Sequence, residues 1–180
     1  MSTFSAKDGR QIEVRPATIE DAEGIISFAK ILFPSTNQVL TLPEEYKISI
    51  EEEVLFIESY NSNPTALLLV AVFDNTVVSL LNFKCGEKKK IQHSGEFGIS
   101  VHPAFQGIGI GRQMITELLN WAKQKPQIEK IFLNVFHTNP SAINLYKSLG
   151  FKEEGRMQKA AKQPDNTYAD MIYMSRFMNE

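Results

Sequence analysis

Three glycines alternate at positions 107, 109 and 111, inside the stretch Gly98 to Arg112 (GISVHPAFQGIGIGR). An extended, alternating segment, Gly95 to Val101, runs up to them and is ended by His102-Pro103. After them comes an amphipathic helix pattern with Met114, Ile115, Leu118, Leu119 and Ala122 on one face. A strand that turns directly into a helix predicts helix packed on sheet, an α/β arrangement. Glycines at such a junction let main-chain N–H groups converge on an anion, and the helix start adds roughly half a positive charge. The expectation is therefore a phosphate site. Its spacing excludes two common kinds. A P-loop requires G-x-x-x-x-G-K-S/T, and no Lys-Ser or Lys-Thr follows. A dinucleotide fingerprint, G-x-G-x-x-G, fails because its last position is Arg112 counted from Gly107 and Met114 counted from Gly109.

The rest of the chain supplies the remaining elements. Gln11 to Ala17 alternates as a half-buried strand, and Thr18 with Asp21 has capping-box spacing ahead of a helix with Ala22, Ile25, Ile26, Ala29 and Leu32 on one face. Pro34 to Asn37 breaks that helix, and Ser49 with Glu52 opens a second, acidic one that runs to about Tyr60. Leu67 to Phe73 and Thr76 to Phe83 flank Asp74-Asn75, a two-residue hairpin turn. Cys85 to Lys90 forms a polar tip. Lys130 to Phe136 is a strand, Asn139-Pro140 opens a short helix, and Gly150 ends it. Phe151 to Met157 and Met171 to Phe177 are the last strands. The order β-α-α-β-β-β-α-β-α-β-β predicts one domain over 1–180, a mixed sheet with helices packed on it.

Composition narrows the function classes. Nineteen Lys and Arg against twenty-one Asp and Glu give a net charge of -2, without the basic excess that a nucleic-acid or anionic-membrane binder requires. One cysteine, Cys85, excludes an intrachain disulfide and a multi-cysteine zinc site. His93, His102 and His137 lack the spacing of a metal site, so no metal is expected. No apolar run approaches about 20 residues, and MSTFSAKDGR lacks a signal-peptide core, so the expected location is cytoplasmic.

The glycine run fits Q/R-x-x-G-x-G/A as Gln106, Gly109 and Gly111, and with it the sequence resembles the GCN5-related N-acetyltransferases (GNATs). Val101-His102-Pro103 is similar to the V-x-P end of that family's fourth strand. Asn139, Ala142, Leu145, Tyr146, Gly150 and Phe151 match N-x-x-A-x-x-L-Y-x-x-x-G-F. The resemblance covers about Gly95 to Met157, and the N-terminal part agrees in element order. It implies a GNAT-like fold with about seven mostly antiparallel strands, a splay between the fourth and fifth strands (Gly95 to Val101 and Lys130 to Phe136) and helices on both faces. It implies acetyl-CoA as co-substrate, its diphosphate on amides of Gln106, Gly107, Ile108, Gly109, Ile110 and Gly111, and its pantetheine arm paired with Ile99, Ser100 and Val101. Asn139 would contact the arm and Tyr146 would stand beside the sulfur. Gly98 is the natural place for a bulge that starts the splay.

Acetyl transfer to an amine needs a neutral nucleophile. A lysine-like amine with a pKa of about 10.4 pays about 4–5 kcal/mol to lose its proton at pH 7, and an α-amino group of about 7.7–8.0 only about 1 kcal/mol. A base therefore matters most for polyamine or lysine acceptors. In the ribosomal-protein alanine acetyltransferases a fifth-strand glutamate is the usual candidate, and Asn134 stands at the matching position. Glu96 on the fourth strand is the preferred replacement, with His137 or water as alternatives. The phenol of Tyr146, ordinarily near 10 against about 8.5 for a thiol, is the expected proton donor to sulfur.

The expected activity is direct acetyl transfer in a ternary complex, without metal or acyl-enzyme. The acceptor is a small amine, a polyamine or a protein N-terminus, and the protein is a monomer or a homodimer. The segment Leu32 to Tyr60 should form much of the acceptor pocket, and Glu44, Glu45, Glu51, Glu52 and Glu53 hint at a cationic acceptor. The rival reading is a non-catalytic acyl-CoA sensor of the same fold, and a third is a nucleotide-binding protein.

Overall fold

The computed structural model describes residues 2–178. Its strands are β1 (Ser2–Ser5), β2 (Gln11–Pro16), β3 (Ala66–Phe73), β4 (Thr76–Cys85), β5 (Ser94–Val101), β6 (Lys130–Phe136), β7 (Lys152–Lys162) and β8 (Tyr168–Phe177). The helices are α1 (Ala22–Leu32), α2 (Ile50–Asn61), α3 (Ile110–Lys123) and α4 (Pro140–Ser148). All eight strands join one sheet in the order β1-β2-β3-β4-β5-β6-β8-β7. Every pairing is antiparallel except β5 with β6.

The strand β3 shows why the sheet carries helices on both faces. Its run ALLLVAVF is apolar without alternation, as expected of a strand covered on each side. Leu67, Leu69 and Ala71 enter a core with Met114, Ile115 and Leu118 of α3 and Tyr146 of α4. Ala66, Leu68 and Val70 enter a second core with Ile25 and Phe28 of α1 and Ile57 of α2. Successive side chains on a strand point to opposite faces, so one segment supplies both cores. Each fully buried aliphatic side chain contributes about 1.5–3 kcal/mol.

The expected elements are present, with three differences. The four-residue strand β1 makes the count eight rather than about seven; its length and half-exposed pattern leave little periodicity to read. Cys85 is the buried end of β4 and not part of the polar tip, because Phe83 and Cys85 continue the alternation into the core. The last two strands run longer than expected, since bulges between Glu153 and Gly155 and between Met157 and Ala161 let β7 continue beside β8. The Asp74-Asn75 turn has φ of 45° and 60°, the left-handed pair of a type I′ hairpin.

Candidate active site

The sheet is open where β5 and β6 diverge. Their parallel pairing joins Ser94 with Lys130, Gly95 with Ile131 and Glu96 with Phe132, and then stops. On its other side β5 stays paired with β4 from Gly95 to Val101 in unbroken register. The bulge expected at Gly98 is therefore absent: Gly98 pairs regularly with Asn82, and its missing side chain leaves room for Asn82 Oδ1, 3.0 Å from where a Cβ would lie. The gap opens two residues earlier, by divergence of β6.

The ladder decides which main-chain groups face that gap. Gly86 N–H donates to Ser94 C=O and His102 N–H to Val78 C=O, so even-numbered residues of β5 direct their main chain toward β4. Ile99 and Val101 direct theirs into the gap. Ser100 does not; its carbonyl also accepts from Ser79 Oγ at 2.7 Å. The Val101 carbonyl is taken by Gln106 Nε2 at 3.1 Å. Among the described residues, the Ile99 N–H and C=O and the Val101 N–H stay open, part of a short strand edge without a strand.

The edge leads to the glycine loop. Gly107 and Gly109 have φ of +76° and +107°, a region that disfavours side chains, and a Cβ on either would meet nothing within 4 Å. Gly111 serves a different end: inside α3 it lies 3.3 Å (at a built Cβ) from Leu145 and keeps α3 close to α4. Ile110 is buried and Ile108 packs on the same core, so the loop is anchored by its side chains. Lys7 N–H donates to the Ile108 carbonyl at 3.0 Å, a support from the β1–β2 connection that the sequence did not reveal. Among the described residues no acceptor takes the amides of residues 107–112; Gln106 N–H makes a long 3.4 Å bond to Pro103. These donors lie at the start of the 14-residue α3, where the partial positive charge concentrates. An open loop of free amides on a helix start fits a diphosphate.

Beside the opened edge is a cavity of about 1020 Å³. Glu96, Ile99, Ser100, Asn134, Asn139 and Tyr146 line it, as do α1, α2 and the segment between them. Val101 and residues 106–111 do not, so a ligand reaching both must lie along β5 with its far end on open surface. Glu96 and Asn134, read separately in the sequence, meet: Asn134 Nδ2 donates to Glu96 Oε1 at 2.7 Å. A carboxylate thus stands at the mouth of the gap on β5, held by the β6 amide. Asn139 caps α4 by accepting from Ala142 N–H at 3.1 Å while lining the cavity. Tyr146 is buried edge-on to Phe97, with ring centroids 5.9 Å apart and planes at 84°. Burial pushes its phenol up to about 12. Its hydroxyl has no partner among the described residues. His137 is elsewhere, accepting at Nδ1 from Asp170 N–H at 2.9 Å, and does not line the cavity.

The Leu32 to Tyr60 segment supplies much of the opposite wall, including Phe33, Val39, Tyr46, Glu53 and Phe56. Glu44, Glu45 and Glu51 do not line the cavity, whereas Glu52 and Glu53 do. Glu53 is 6% exposed, its Oε1 has no partner among the described residues, and burial raises its carboxyl. Burial, followed by the Glu53 charge, pushes the Tyr46 phenol up to about 12. Among the described residues no three His, Cys, Asp or Glu side chains group as metal ligands, and no helix is long and apolar enough to cross a membrane.

A sheet opened beside a strand that ends in a glycine loop of free amides suits an extended ligand with an anionic end. Residues 33–151 match the sequence model of the Acetyltransferase (GNAT) family, and the chain belongs to that family. It is 27% identical over 170 residues, 92% of this chain and 98% of the relative, to the L-amino acid N-acetyltransferase AaaT of Escherichia coli strain K12. It is 31% identical over 114 residues, 63% of this chain and 65% of the relative, to a spermidine N(1)-acetyltransferase of Vibrio cholerae. In fold it is similar to a phosphinothricin acetyltransferase from Sinorhizobium meliloti solved in complex with AcCoA, with a TM-score of 0.79 at 20% identity, covering 97% of this chain and 89% of that one. The chain is an N-acetyltransferase by family.

Proposed function

We propose that this chain moves the acetyl group of acetyl-CoA directly to a primary amine, a small amine, a polyamine or a protein N-terminus, in a ternary complex within one domain over 1–180. The observation that carries the reading is the unpaired main-chain edge at Ile99 and Val101, continuous with the free amides of residues 107–111. Acetyl-CoA supplies a thioester carbonyl and a thiol leaving group. The loop amides, with Gln106 in place at their start, hold the diphosphate. Ile99 pairs with the amide-bearing arm as a strand would, Ser100 shapes the wall by its side chain, and Asn139 borders the arm from the α4 side.

The reaction forms a C–N bond and breaks the C–S bond, whose electron pair leaves with sulfur. Glu96, steadied by Asn134, takes the proton that nitrogen releases, directly or through a water. Tyr146 serves sulfur, but not as an ordinary phenol would. At about 12 it is a much weaker acid than a thiol near 8.5, so it keeps its proton and donates a hydrogen bond to the charge growing on sulfur. The final proton of the free thiol comes from solvent, which also takes the proton from Glu96. The relatives differ in named acceptor, an amino acid and spermidine, which agrees with an amine as the common requirement.

Release of free thiol from acetyl-CoA, measured against a panel of amines, tests the reading. Amine-dependent release that falls in Tyr146→Phe is expected. Binding of CoA without release by any amine would make the chain a sensor, and tighter binding of ATP or NAD than of CoA would make it a nucleotide binder.

A further inference from the structure

The charged side chains lining the cavity are Glu52, Glu53, Lys84, Glu87 and Glu96. Four of them are already answered. Glu52 Oε2 accepts the Ser49 N–H at 2.8 Å as part of the α2 cap. Lys84 Nζ lies 2.8 Å from Glu87 Oε1. Glu96 accepts from Asn134. Glu53 is the exception: it is the most buried of them, and among the described residues Oε1 has no hydrogen-bond partner and is closed to solvent. A buried carboxylate without a partner is expensive, and folds keep one where a ligand completes it.

Its surroundings specify the ligand. Glu53, Phe56 and Tyr60 stand at i, i+3 and i+7 on α2, one face of the helix, and all three line the cavity. Phe56 packs against Tyr60 with ring centroids 4.8 Å apart, and Phe33 against Tyr46 at 4.9 Å, each pair tilted at 55°. Aromatic rings around a carboxylate suit an ammonium, which gains from both the charge and the ring faces. Phe28, Leu32 and Val39 add an apolar wall that suits methylenes. A free carboxylate on the acceptor would meet Glu53 and Glu96 with like charge.

We propose that Glu53 anchors a second ammonium of the acceptor, so that the preferred substrate is an aliphatic diamine or polyamine whose other nitrogen is acetylated at the Glu96 end. This rests on the amine-acetylating reading above and adds the substrate class to it.

Initial rates with 1,4-diaminobutane, 1-aminobutane and L-alanine, followed by thiol release from acetyl-CoA, test it on the full chain. The diamine is expected to exceed the monoamine in kcat/KM by about tenfold to hundredfold, the range of a charge-assisted contact, chiefly through KM. Glu53→Gln should bring the ratio near one, and Glu53→Asp should keep part of it. A ratio near one in the unmodified chain, or a Glu53→Gln variant that slows both amines equally, overturns the proposal while leaving the acetyltransferase reading intact. No release with any amine overturns both. Calorimetric titration of 1,4-diaminobutane into the CoA-bound chain gives a readout apart from turnover: binding at least tenfold weaker in Glu53→Gln is expected, and equal binding overturns the proposal. Should Glu53→Gln not fold, the diamine-to-monoamine ratio of the unmodified chain decides alone.

Discussion

In the proposed mechanism Tyr146 and Glu96 serve opposite ends of one transfer, so their pH signatures should differ. Burial holds the Tyr146 phenol at about 12, so it stays protonated over any ordinary assay range. Tyr146→Phe is therefore expected to lower kcat by about 10- to 100-fold, the range of one charge-assisted hydrogen bond, with an unchanged pH profile. An alkaline limb that disappears in the variant would show that the phenol ionises during turnover. Glu96→Gln should behave otherwise. Its deficit with an aliphatic amine is expected at about 100-fold near pH 7 and should shrink as pH approaches the amine's own value of about 10.4, where no base is needed. Steady-state profiles from pH 6 to about 10 distinguish these outcomes. The sequence proposed both residues, Tyr146 through its motif and Glu96 by elimination, and both line the cavity. Glu53 was visible only as one of five glutamates, because nothing in a helical run of acids tells which one turns inward. The contact between Asn134 and Glu96 was likewise hidden, since it depends on the register of two strands 38 residues apart.

At the scale of elements, the loop between β5 and α3 explains why three glycines occur where a turn needs fewer. Two of them adopt positive φ and the third lets two helices approach. Gly109→Ala is expected to cost about 1–3 kcal/mol in backbone strain and to weaken CoA binding at least tenfold, while leaving α3 in place. Thermal unfolding with a CoA titration checks this; an unaltered affinity would mean that the loop amides are bystanders. Alternation, caps and turn residues made most elements readable: Asn139-Pro140 opens α4, Gly150 has φ +86° after it, and Asp74-Asn75 turns the hairpin. What escaped was support that acts over distance. The β1–β2 connection donates Lys7 N–H to the loop, and Arg10 lies over the Phe105 ring at 4.1 Å. Four residues of strand carry too little pattern to announce such a role.

Across the whole molecule, two buried carboxyls, Asp21 and Glu53, have opposite effects on stability. On the β2–α1 side, Asp21 is buried and grips Arg15 through two bonds of 2.7 and 2.8 Å. Burial pushes its carboxyl up, but the Arg15 guanidinium and the Thr18 amide outweigh that and hold it below the ordinary range. The stability from this pair is present above the unfolded value near 3.8 and is lost as pH falls through the lower folded one. Asp21→Asn is therefore expected to lose about 2–4 kcal/mol at neutral pH, with the deficit closing in strong acid; denaturant titrations across pH measure it. Glu53 has the opposite sign. Its carboxyl is raised by burial, so the fold is favoured below the ordinary carboxylate value and loses that advantage as pH rises. Glu53→Gln should then stabilise the chain by about 1 kcal/mol at neutral pH, the mark of a group kept for binding rather than for folding.

Amide hydrogen exchange, compared with and without saturating CoA, reads the contested donors one by one. Slowed exchange at Ile99, Val101 and residues 107–112, with little change along the β2–β3 ladder, is the result expected if the diphosphate and arm occupy the opened edge. Unchanged exchange at those amides, with CoA demonstrably bound, would contradict it.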